Sequence, residues 1–201
     1  MKTTTIQDLI KRQEDCILPT KWGPFTLVVY QELTSLAEHV ALHRGQLKAE
    51  MPILLRIHSE CLTGDTFFSQ KCDCGLQLKK SFQLIAKEDR GVIIYLRQEG
   101  RGIGLTNKIK AYRLQEEGLD TVEANLALQF PADARSFNVV HDILRDLDIK
   151  RVRLMTNNPD KVQALNEGGI EVVERIPLIT RTNRYNKSYI QTKKKKLNHL
   201  F

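Results

Sequence analysis

Apolar residues along the chain follow two patterns, one typical of buried strands and the other of amphipathic helices. Short apolar runs rich in β-branched and aromatic residues predict strands at residues 25–30, 53–58, 91–96, 152–156 and 170–173. Between these runs, apolar side chains recur at the three- and four-residue spacing of a helix with one buried face. These helical stripes are formed by Leu78, Phe82 and Ile85; by Leu105, Ile109 and Tyr112; and by Val140, Ile143, Leu144 and Leu147.

A further helix is predicted after the fourth strand from its capping residues. Asn158 is a suitable N-cap, Pro159 suits the first helical position, and Gly168 with Gly169 would end the helix. No period of about 20–50 residues repeats, and no segment rich in Gly, Ser and Pro divides the chain. We therefore expect a single domain of the α/β (mixed α+β) class, in which helices flank a mixed sheet.

The composition of the chain excludes several classes of protein. Hydrophobic residues make up 41% of the 201 residues, which is too high for a disordered chain, and no apolar run approaches the roughly 20 residues that span a bilayer. Charged residues interrupt the first 16 positions, so no signal peptide is expected there. Four cysteines are too few for a disulfide scaffold, and clustered cysteines without an export signal point to metal binding or catalysis. We expect a soluble cytoplasmic protein with no membrane partner.

The net positive charge is concentrated at the C-terminal end. The chain carries 31 Lys and Arg residues against 24 Asp and Glu residues, for a net charge of +7. Residues 181–201 hold seven cations, four of them in the run 193–196, and no acidic residue, so the first 180 residues are neutral overall. We expect a solvated, weakly ordered tail, with attraction to a polyanion as the alternative, and no nucleic-acid partner for the neutral body.

Three of the four cysteines lie close together in the sequence. Cys72 and Cys74 can chelate one ion from a tight turn, and Cys61 follows the second predicted strand. Three thiolate ligands with an open fourth position are typical of a catalytic zinc site, whose bound water can react near neutral pH. The spacing leaves two alternatives open, a structural zinc site closed by His58 and buried cysteines without any metal. Cys16, far from the others, is expected to be an ordinary apolar residue.

Polar clusters follow two of the predicted strands and occupy one later loop. After the third strand, residues 97–104 place three glycines and two arginines before a predicted helix, which suits close approach of the backbone to a phosphate. Residues 156–161 again join a strand to a helix, and ligands collect at such strand ends in α/β sheets. Asp133 and Arg135 lie two residues apart in a loop. Each cluster alone is also explained as a turn, a capped helix or a surface ion pair.

Taken together, these segments resemble the sequence signature of the GTP cyclohydrolase II family. The matching segments read HSECLTGD, CDCG, RQEGRGIGL, DTVEAN, LMTNNP and VERIPL, at residues 58–65, 72–75, 97–105, 120–125, 154–159 and 173–178. The similarity runs from about residue 18 to about residue 193. Because the segments are long, ordered and mutually spaced, the resemblance favours the catalytic zinc site over the two alternatives.

Membership of this family would imply the first step of riboflavin biosynthesis. GTP is then hydrolysed at C8 of guanine with release of formate and pyrophosphate, giving 2,5-diamino-6-(5-phosphoribosylamino)pyrimidin-4(3H)-one, and both Zn²⁺ and Mg²⁺ are used. The resemblance implies a homodimer with one zinc ion per subunit, held by Cys61, Cys72 and Cys74. It also implies a set of substrate-binding positions, namely Arg56, Ile57, His58, Ser59, Glu60, Gln77, Glu99, Gly100, Arg101, Thr121, Thr156 and Lys161.

The same resemblance implies three catalytic residues. Tyr112 matches a family tyrosine near C8 that would orient the hydrolysis releasing formate, and Asp133 matches the proposed proton acceptor. Arg135 matches a proposed nucleophile at the α-phosphorus, although a guanidinium with a pKa above about 12 is a poor nucleophile. Arg135 could instead stabilise charge on the transferring phosphoryl group while water attacks directly.

The resemblance also divides the chain into parts. We expect an N-terminal segment at residues 1–17, the catalytic domain at residues 18–180 and a basic tail at residues 181–201. Departures from the family pattern are few, chiefly the more basic tail and the small Ala134 in the catalytic loop. Two rival functions remain, a zinc-stabilised nucleic-acid-binding module and a related enzyme that stops after opening the guanine ring.

Overall fold

Residues 9–47 and 51–200, which are the residues that the computed structural model describes, form seven strands and seven α-helices. The strands are β1 (Ile10–Thr20), β2 (Gly23–Glu32), β3 (Glu38–Arg44), β4 (Ile53–Ser59), β5 (Gly91–Leu96), β6 (Arg151–Met155) and β7 (Glu171–Ile176). The helices are α1 (Leu62–Asp65), α2 (Cys74–Glu88), α3 (Gly104–Glu116), α4 (Thr121–Ala127), α5 (Asn138–Asp146), α6 (Pro159–Glu167) and α7 (Lys187–Lys196). Within the described residues, no helix has the length and apolar character needed to cross a membrane.

These strands form one mixed sheet in the order β1-β2-β3-β5-β4-β6-β7. β1, β2 and β3 form an antiparallel meander, and β3 pairs antiparallel with β5. Beyond β5 the sheet is parallel, because β4 pairs in parallel with both β5 and β6, and β6 pairs in parallel with β7. The predicted α/β fold, a mixed sheet flanked by helices, is therefore confirmed.

All five predicted strands are present, and the apolar pattern misses β1 and β3. β5 has the predicted bounds, whereas the other four strands differ from their predicted ranges by a few residues. Nine of the 11 residues of β1 are exposed, so β1 lacks the alternation that marks a half-buried strand. β1 is ordered instead by pairing with β2 at one edge of the sheet. Cys16, predicted to be an ordinary apolar residue away from the other cysteines, lies exposed on this strand.

Apolar layers cover both faces of the sheet. α5 and α6 pack on one face, and α2 packs on the other. The helix residues in the first layer are Val139, Val140, Ile143, Leu144 and Leu165, and those in the second are Ile85 with the partly buried Leu78 and Phe82. The predicted stripes of α2 and α5 are therefore confirmed as buried faces.

Side chains alternate along β4, and its polar residues lie on the face of the sheet that packs against α2. Ile53, Leu55 and Ile57 belong to the apolar layer beneath α5. Because successive side chains on a strand point to opposite faces, Arg56 and His58 lie on the side of α2. Both side chains are buried there, and Arg56 hydrogen bonds to α2. One strand therefore supplies the core with one face and the site with the other.

The apolar stripe predicted on α3 does not face the core. Leu105 and Ile109 are 40% and 49% exposed, whereas Lys108 of the same helix is buried. Lys108 points inward because its ammonium group contacts the carboxylate of Glu99 and the sulfur of Cys61. The prediction of a helix is confirmed, and the prediction of its buried face is wrong, because charged contacts rather than apolar burial orient α3.

The predicted terminal segments are not separate from the rest of the fold. β1 crosses the predicted boundary at residue 17, so the described part of the N-terminal segment belongs mainly to the sheet. In the C-terminal tail, α7 is a helix, and Lys193 is only 6% exposed. The prediction of a weakly ordered tail is wrong over α7, because Lys193 and Lys196 form ion pairs with Asp73 and Glu123 of the body. Lys194, Lys195 and Lys196 are exposed, as a solvated lysine run would be.

Replacing Ile143 by Ala should lower the free energy of unfolding by about 2–5 kcal/mol, because Ile143 is fully buried against the sheet. The matched change Ile109→Ala on α3 should cost less than about 1 kcal/mol, because that side chain is half exposed. Urea unfolding followed by circular dichroism measures both values at equal protein concentration. Equal losses in the two variants would contradict the outward orientation of this face of α3.

Candidate active site

The polar segments singled out in the sequence meet at one edge of the sheet. β4 ends at Ser59, β5 ends at Leu96 and β6 ends at Met155, and a polar segment follows each strand. Because these strands are parallel neighbours, their carboxyl ends lie at the same edge, where ligands bind in α/β sheets. The topology therefore brings together segments that are about 100 residues apart in the chain.

A pocket at this edge contains most of the predicted site residues. Those that line it are Arg56, His58, Ser59, Glu60, Cys61, Cys72, Cys74, Gln77, Glu99, Gly100, Arg101, Tyr112, Thr121, Arg135, Thr156 and Lys161. Ile57 and Asp133 do not line the pocket. Ile57 is buried in the apolar layer, and its carbonyl oxygen accepts a hydrogen bond from Lys161 Nζ at 2.8 Å. Asp133 contacts the site through Arg135.

The three clustered cysteines meet in the wall of this pocket. Their Sγ atoms lie within 4.8 Å of one another, and those of Cys61 and Cys72 are 3.7 Å apart. Ligands placed tetrahedrally around zinc at about 2.3 Å are about 3.8 Å from one another, so this spacing fits a zinc ion. Gly64 permits the approach, since a Cβ atom there would lie 2.8 Å from Cys72 Sγ and 3.1 Å from Cys61 Sγ. The donor set and its spacing therefore fit a thiolate-bound metal.

Two short turns bring these cysteines together. Cys61 is the N-cap of α1, which follows β4, and Cys74 is the first residue of α2. The two elements touch through glycines, because a Cβ atom on Gly75 would lie only 2.2 Å from the carbonyl oxygen of Gly64. Close packing of α1 on the start of α2 is therefore what allows the thiols to meet.

The surroundings of the thiols favour one thiolate. Hydrogen bonds from Cys72 and Cys74, together with the Lys108 ammonium at 3.2 Å, outweigh burial and lower the pKa of Cys61 far below its usual range. The same contact raises the pKa of Cys72 to about 11, because Cys72 donates to the Cys61 thiolate. The pKa of Cys74 is also raised, first by its hydrogen bond to Cys61. Deprotonation of all three thiols therefore needs a cation between them.

His58 does not belong to the cysteine group. Its Nε2 lies 3.0 Å from the Asp65 carboxylate, and its Nδ1 lies 3.4 Å from Arg56 Nη2. Burial lowers the pKa of His58, so the neutral ring donates from Nε2 and accepts at Nδ1. Asp65 also accepts hydrogen bonds from Tyr95 at 2.9 Å and from the backbone N–H of Cys61 at 3.0 Å. This geometry disfavours the alternative in which His58 closes a structural zinc site.

The loop after β5 has a left-handed backbone that carries an arginine into the pocket. Gly100 and Arg101 have φ values of 64° and 61°, a conformation that is uncommon for a residue with a side chain. The Glu99 carboxylate holds this loop by accepting hydrogen bonds from the backbone N–H groups of Gly100 and Leu62 and from Lys108. One buried nitrogen of Arg101, Nη1, has no hydrogen-bond partner among the described residues. Arg101 is therefore suited to binding an anionic ligand.

Arg135 and Asp133 form a charged pair at the pocket wall. Arg135 Nε donates to Asp133 at 2.8 Å, and Arg135 Nη1 donates to Ser59 Oγ at 3.4 Å. Burial lowers the pKa of Arg135, but the carboxylate outweighs burial and raises it overall. Burial raises the pKa of Asp133, but the hydrogen bonds from Arg135 lower it overall. Both groups stay charged, and a protonated guanidinium has no lone pair for nucleophilic attack.

Positive side chains outnumber negative ones in the pocket. The cations that line it are Arg56, Arg101, Lys108, Arg135, Lys161 and Lys193, and the acidic residues are Glu60 and Glu99. Burial first, and then the nearby Arg56 and Arg135, lowers the pKa of Lys161. A bound polyanion such as a triphosphate would stabilise these cations beside one another. The electrostatics of the pocket therefore favour an anionic ligand.

Tyr112 lies beside the cysteines. Its hydroxyl oxygen is 3.5 Å from Thr63 Oγ1, which in turn lies 3.7 Å from Cys61 Sγ. Burial raises the pKa of Tyr112 to about 12, so the phenol stays protonated at neutral pH. Tyr112 can therefore donate a hydrogen bond to a group bound next to the thiols.

Ten further residues line the pocket without being among the predicted site residues, and four of them carry titratable side chains. Lys108 comes from the inward face of α3, and Tyr189, Lys193 and His199 come from the tail predicted to be solvated. A lysine run is usually exposed, so composition alone does not identify a buried member. The sequence offers one signal for a buried lysine, which is the position of Asp73 between two cysteines. A carboxylate in a buried turn needs a positively charged partner.

The structure is similar to that of RibBX, described as a two-domain 3,4-dihydroxy-2-butanone 4-phosphate synthase from A. baumannii, with a TM-score of 0.52. That match covers 88% of this chain and 42% of that chain at 20% sequence identity, so it shows the fold alone.

The sequence of this chain is also similar to those of two bacterial proteins over nearly their whole length. A protein of Neisseria meningitidis named GTP cyclohydrolase-2 is 54% identical over 195 residues, which cover 97% of this chain and 98% of the relative. A protein of the same name from Tolumonas auensis is 55% identical over 183 residues, which cover 91% of this chain and 93% of the relative. The family model described as GTP cyclohydrolase II matches residues 11–177. This chain therefore belongs to the GTP cyclohydrolase II family, and it is a hydrolase that acts on GTP in riboflavin biosynthesis.

Proposed function

We propose that this protein catalyses the zinc-dependent hydrolysis of GTP at guanine C8, with release of formate and pyrophosphate, to give 2,5-diamino-6-(5-phosphoribosylamino)pyrimidin-4(3H)-one. The observation that carries the proposal is the meeting of two chemically different groups in one pocket, a triad of thiols and a cluster of cations. The triad suits hydrolysis at the base, and the cations suit a triphosphate. A purine nucleoside triphosphate needs both.

The proposed metal site consists of Cys61, Cys72 and Cys74, with one zinc ion per subunit. When bound, zinc supplies Lewis acidity and activates a water molecule near neutral pH. The chain holds the three sulfur atoms within 4.8 Å of one another in the pocket wall, and His58 is hydrogen bonded to Asp65 instead. This arrangement supports a three-thiolate site with an open fourth position over a closed structural one.

The proposed substrate-binding residues are those named in the sequence analysis, with two changes of role. Ile57 acts through its carbonyl oxygen, which holds the ammonium group of Lys161 in place. Glu99 acts through the loop that it ties down, because its carboxylate is already occupied by Lys108 and by backbone N–H groups. Arg101 on that loop then contacts the substrate directly.

Two residues are proposed to assist the separate hydrolyses. Opening of the guanine ring leaves a formyl group, and the protonated hydroxyl of Tyr112 orients its hydrolysis to formate. Arg135 stabilises the charge that develops on the α-phosphoryl group while water attacks it. Asp133 has both oxygens engaged by Arg135, so we assign it the orientation of that guanidinium rather than proton transfer.

Mg²⁺ is proposed to enter with the triphosphate. Among the described residues, the cysteine triad is the one group of three or more His, Cys, Asp or Glu side chains that could share an ion. The pocket carboxylates Glu60 and Glu99 are paired with Arg97 and Lys108. Mg²⁺ commonly binds through substrate phosphates with few protein ligands, which agrees with this arrangement.

We also propose a cytoplasmic homodimer without a membrane or nucleic-acid partner. The homodimer rests on the likeness to the family. The ion pairs of Lys193 and Lys196 with the body of the protein count against a tail that presents its lysines to a nucleic acid. This observation disfavours the rival function of a nucleic-acid-binding module.

Replacing Cys72 by Ser should abolish formate release, because the metal loses one of its three thiolates. Purified protein is incubated with GTP, Mg²⁺ and Zn²⁺, formate and pyrophosphate are measured separately, and bound zinc is measured by mass spectrometry. The unmodified protein should release both products in equal amounts. The matched variant Cys16→Ser, changed on exposed β1, should behave in the same way as the unmodified protein. Robust formate release from Cys72→Ser would show that the reaction does not need the metal.

Replacing Tyr112 by Phe should slow formate release by about 100-fold or more, because a positioned proton donor is lost. Chromatography with mass spectrometry should then detect a ring-opened nucleotide that keeps its formyl group. Tyr185→Phe, at an exposed position, is the control and should have no effect. An unchanged formate rate in Tyr112→Phe would refute the role given to this hydroxyl.

Replacing Arg135 by Gln should lower the rate of pyrophosphate release by about 100-fold or more, because a preorganised cation is removed from the transition state. Arg135→Lys should retain part of the rate, since a positive charge remains. Rapid quenching followed by mass spectrometry of the intact protein should find no covalent nucleotide. A nucleotide bound to Arg135 would instead support the nucleophile role.

A further inference from the structure

The C-terminal residues 187–200, which we call the strap, cross the pocket and contact four separate parts of the site. Lys193 pairs with Asp73, the Tyr189 ring lies 5.9 Å from the Arg101 guanidinium carbon, and Lys196 pairs with Glu123 of α4. The backbone N–H of Leu200 donates to the carbonyl oxygen of Asn157 at 2.8 Å. The match to the family model ends at residue 177, so the strap itself lies outside it.

The innermost contact of the strap is the ion pair between Lys193 and Asp73. Lys193 Nζ lies 2.8 Å from Asp73 Oδ1, and the two residues are 6% and 0% exposed. Asp73 stands between Cys72 and Cys74 at the N-cap of α2, yet its side chain makes no capping hydrogen bond. The carboxylate faces the strap instead of the helix end.

A chain of buried hydrogen bonds continues from this ion pair to β4. Gln77 donates through Nε2 to the second oxygen of Asp73, and its Oε1 accepts from Arg56 Nη2 at 2.7 Å. Lys193, Asp73, Gln77 and Arg56 are all buried. The strap is therefore connected to the turn that carries two cysteines and to an arginine of the pocket.

Apolar packing does not account for this arrangement. Two apolar side chains of similar volume would fill the same space at a lower desolvation cost than a buried ion pair. The ion pair differs in being directional, because rotation of Asp73 would leave a buried charge without its partner. Residues behind metal ligands commonly tune metal affinity and activity, and Asp73 lies between two of the cysteines in the chain.

We propose that Lys193 is a positioning residue for the active site. Through Asp73 it sets the orientation of the turn that carries Cys72 and Cys74, and through Gln77 it sets that of Arg56. The inference rests on the proposed function for the identity of the zinc ion and of GTP. The ion pair and the hydrogen-bond chain themselves are independent of that function.

The test replaces Lys193 by Met, which removes the ammonium group and keeps an unbranched side chain. Zinc affinity, measured by competition with a chromophoric chelator, should fall about tenfold or more. The KM for GTP should rise as Arg56 loses its fixed position, and Lys193→Arg should recover most of both properties. The matched control Lys195→Met, at an exposed position of α7, should leave zinc affinity and KM unchanged.

Zinc affinity within twofold of the unmodified value in a folded Lys193→Met protein would overturn the proposal. If circular dichroism shows that this variant does not fold, the double variant Asp73→Asn/Lys193→Met replaces it, because it leaves no unpaired buried charge. The same loss of zinc affinity is expected there, and unchanged affinity is again contrary to the proposal. A different outcome separates the two proposals. If Lys193→Met loses zinc affinity but the unmodified protein releases no formate from GTP, the proposed function is refuted and the role of Lys193 is supported.

Discussion

Three sulfur atoms within 4.8 Å of one another impose the strongest constraint on this structure. As thiolates they repel one another, and they can coexist only around a cation. Their meeting also requires two pieces of backbone to touch, which Gly64 and Gly75 allow. Two buried lysines balance negative charge around the sulfur atoms. Lys108 stabilises Cys61, and Lys193 neutralises the carboxylate of Asp73 between Cys72 and Cys74.

The pocket divides into two chemically different regions because of the sheet beneath it. The thiols come from the segment after β4 and from the start of α2, whereas arginine- and lysine-bearing segments follow β5 and β6. Parallel pairing places these strand ends side by side, so a ligand with an aromatic base and a charged tail can span both regions. The opposite faces of the same strands hold the main apolar layer. Catalytic and structural demands are thereby met by alternate residues of one strand.

Charge, rather than apolar burial, orients the elements that complete the site. α3 turns Lys108 inward and leaves Ile109 half exposed. α7 docks through Lys193 and Lys196, although it has few apolar residues to bury. Such contacts depend on partners far away in the sequence, Asp73 and Glu123 among them. Removing one partner from the buried Lys193–Asp73 pair costs more than the pair contributes, so this contact defines orientation more strongly than stability.

The amino-acid sequence by itself determined the five apolar strands, the stripes of α2 and α5, the capped helix α6 and the fold class, because these depend on local periodicity and capping. The long motifs, through their resemblance to a family, also indicated the thiol triad and most of the residues that line the pocket. Only the tertiary structure decided that β1 is a strand, that α3 presents Lys108 and that the basic tail covers the site. Each of these depends on a partner distant in the chain, and neither the period nor the composition of a segment identifies such a partner.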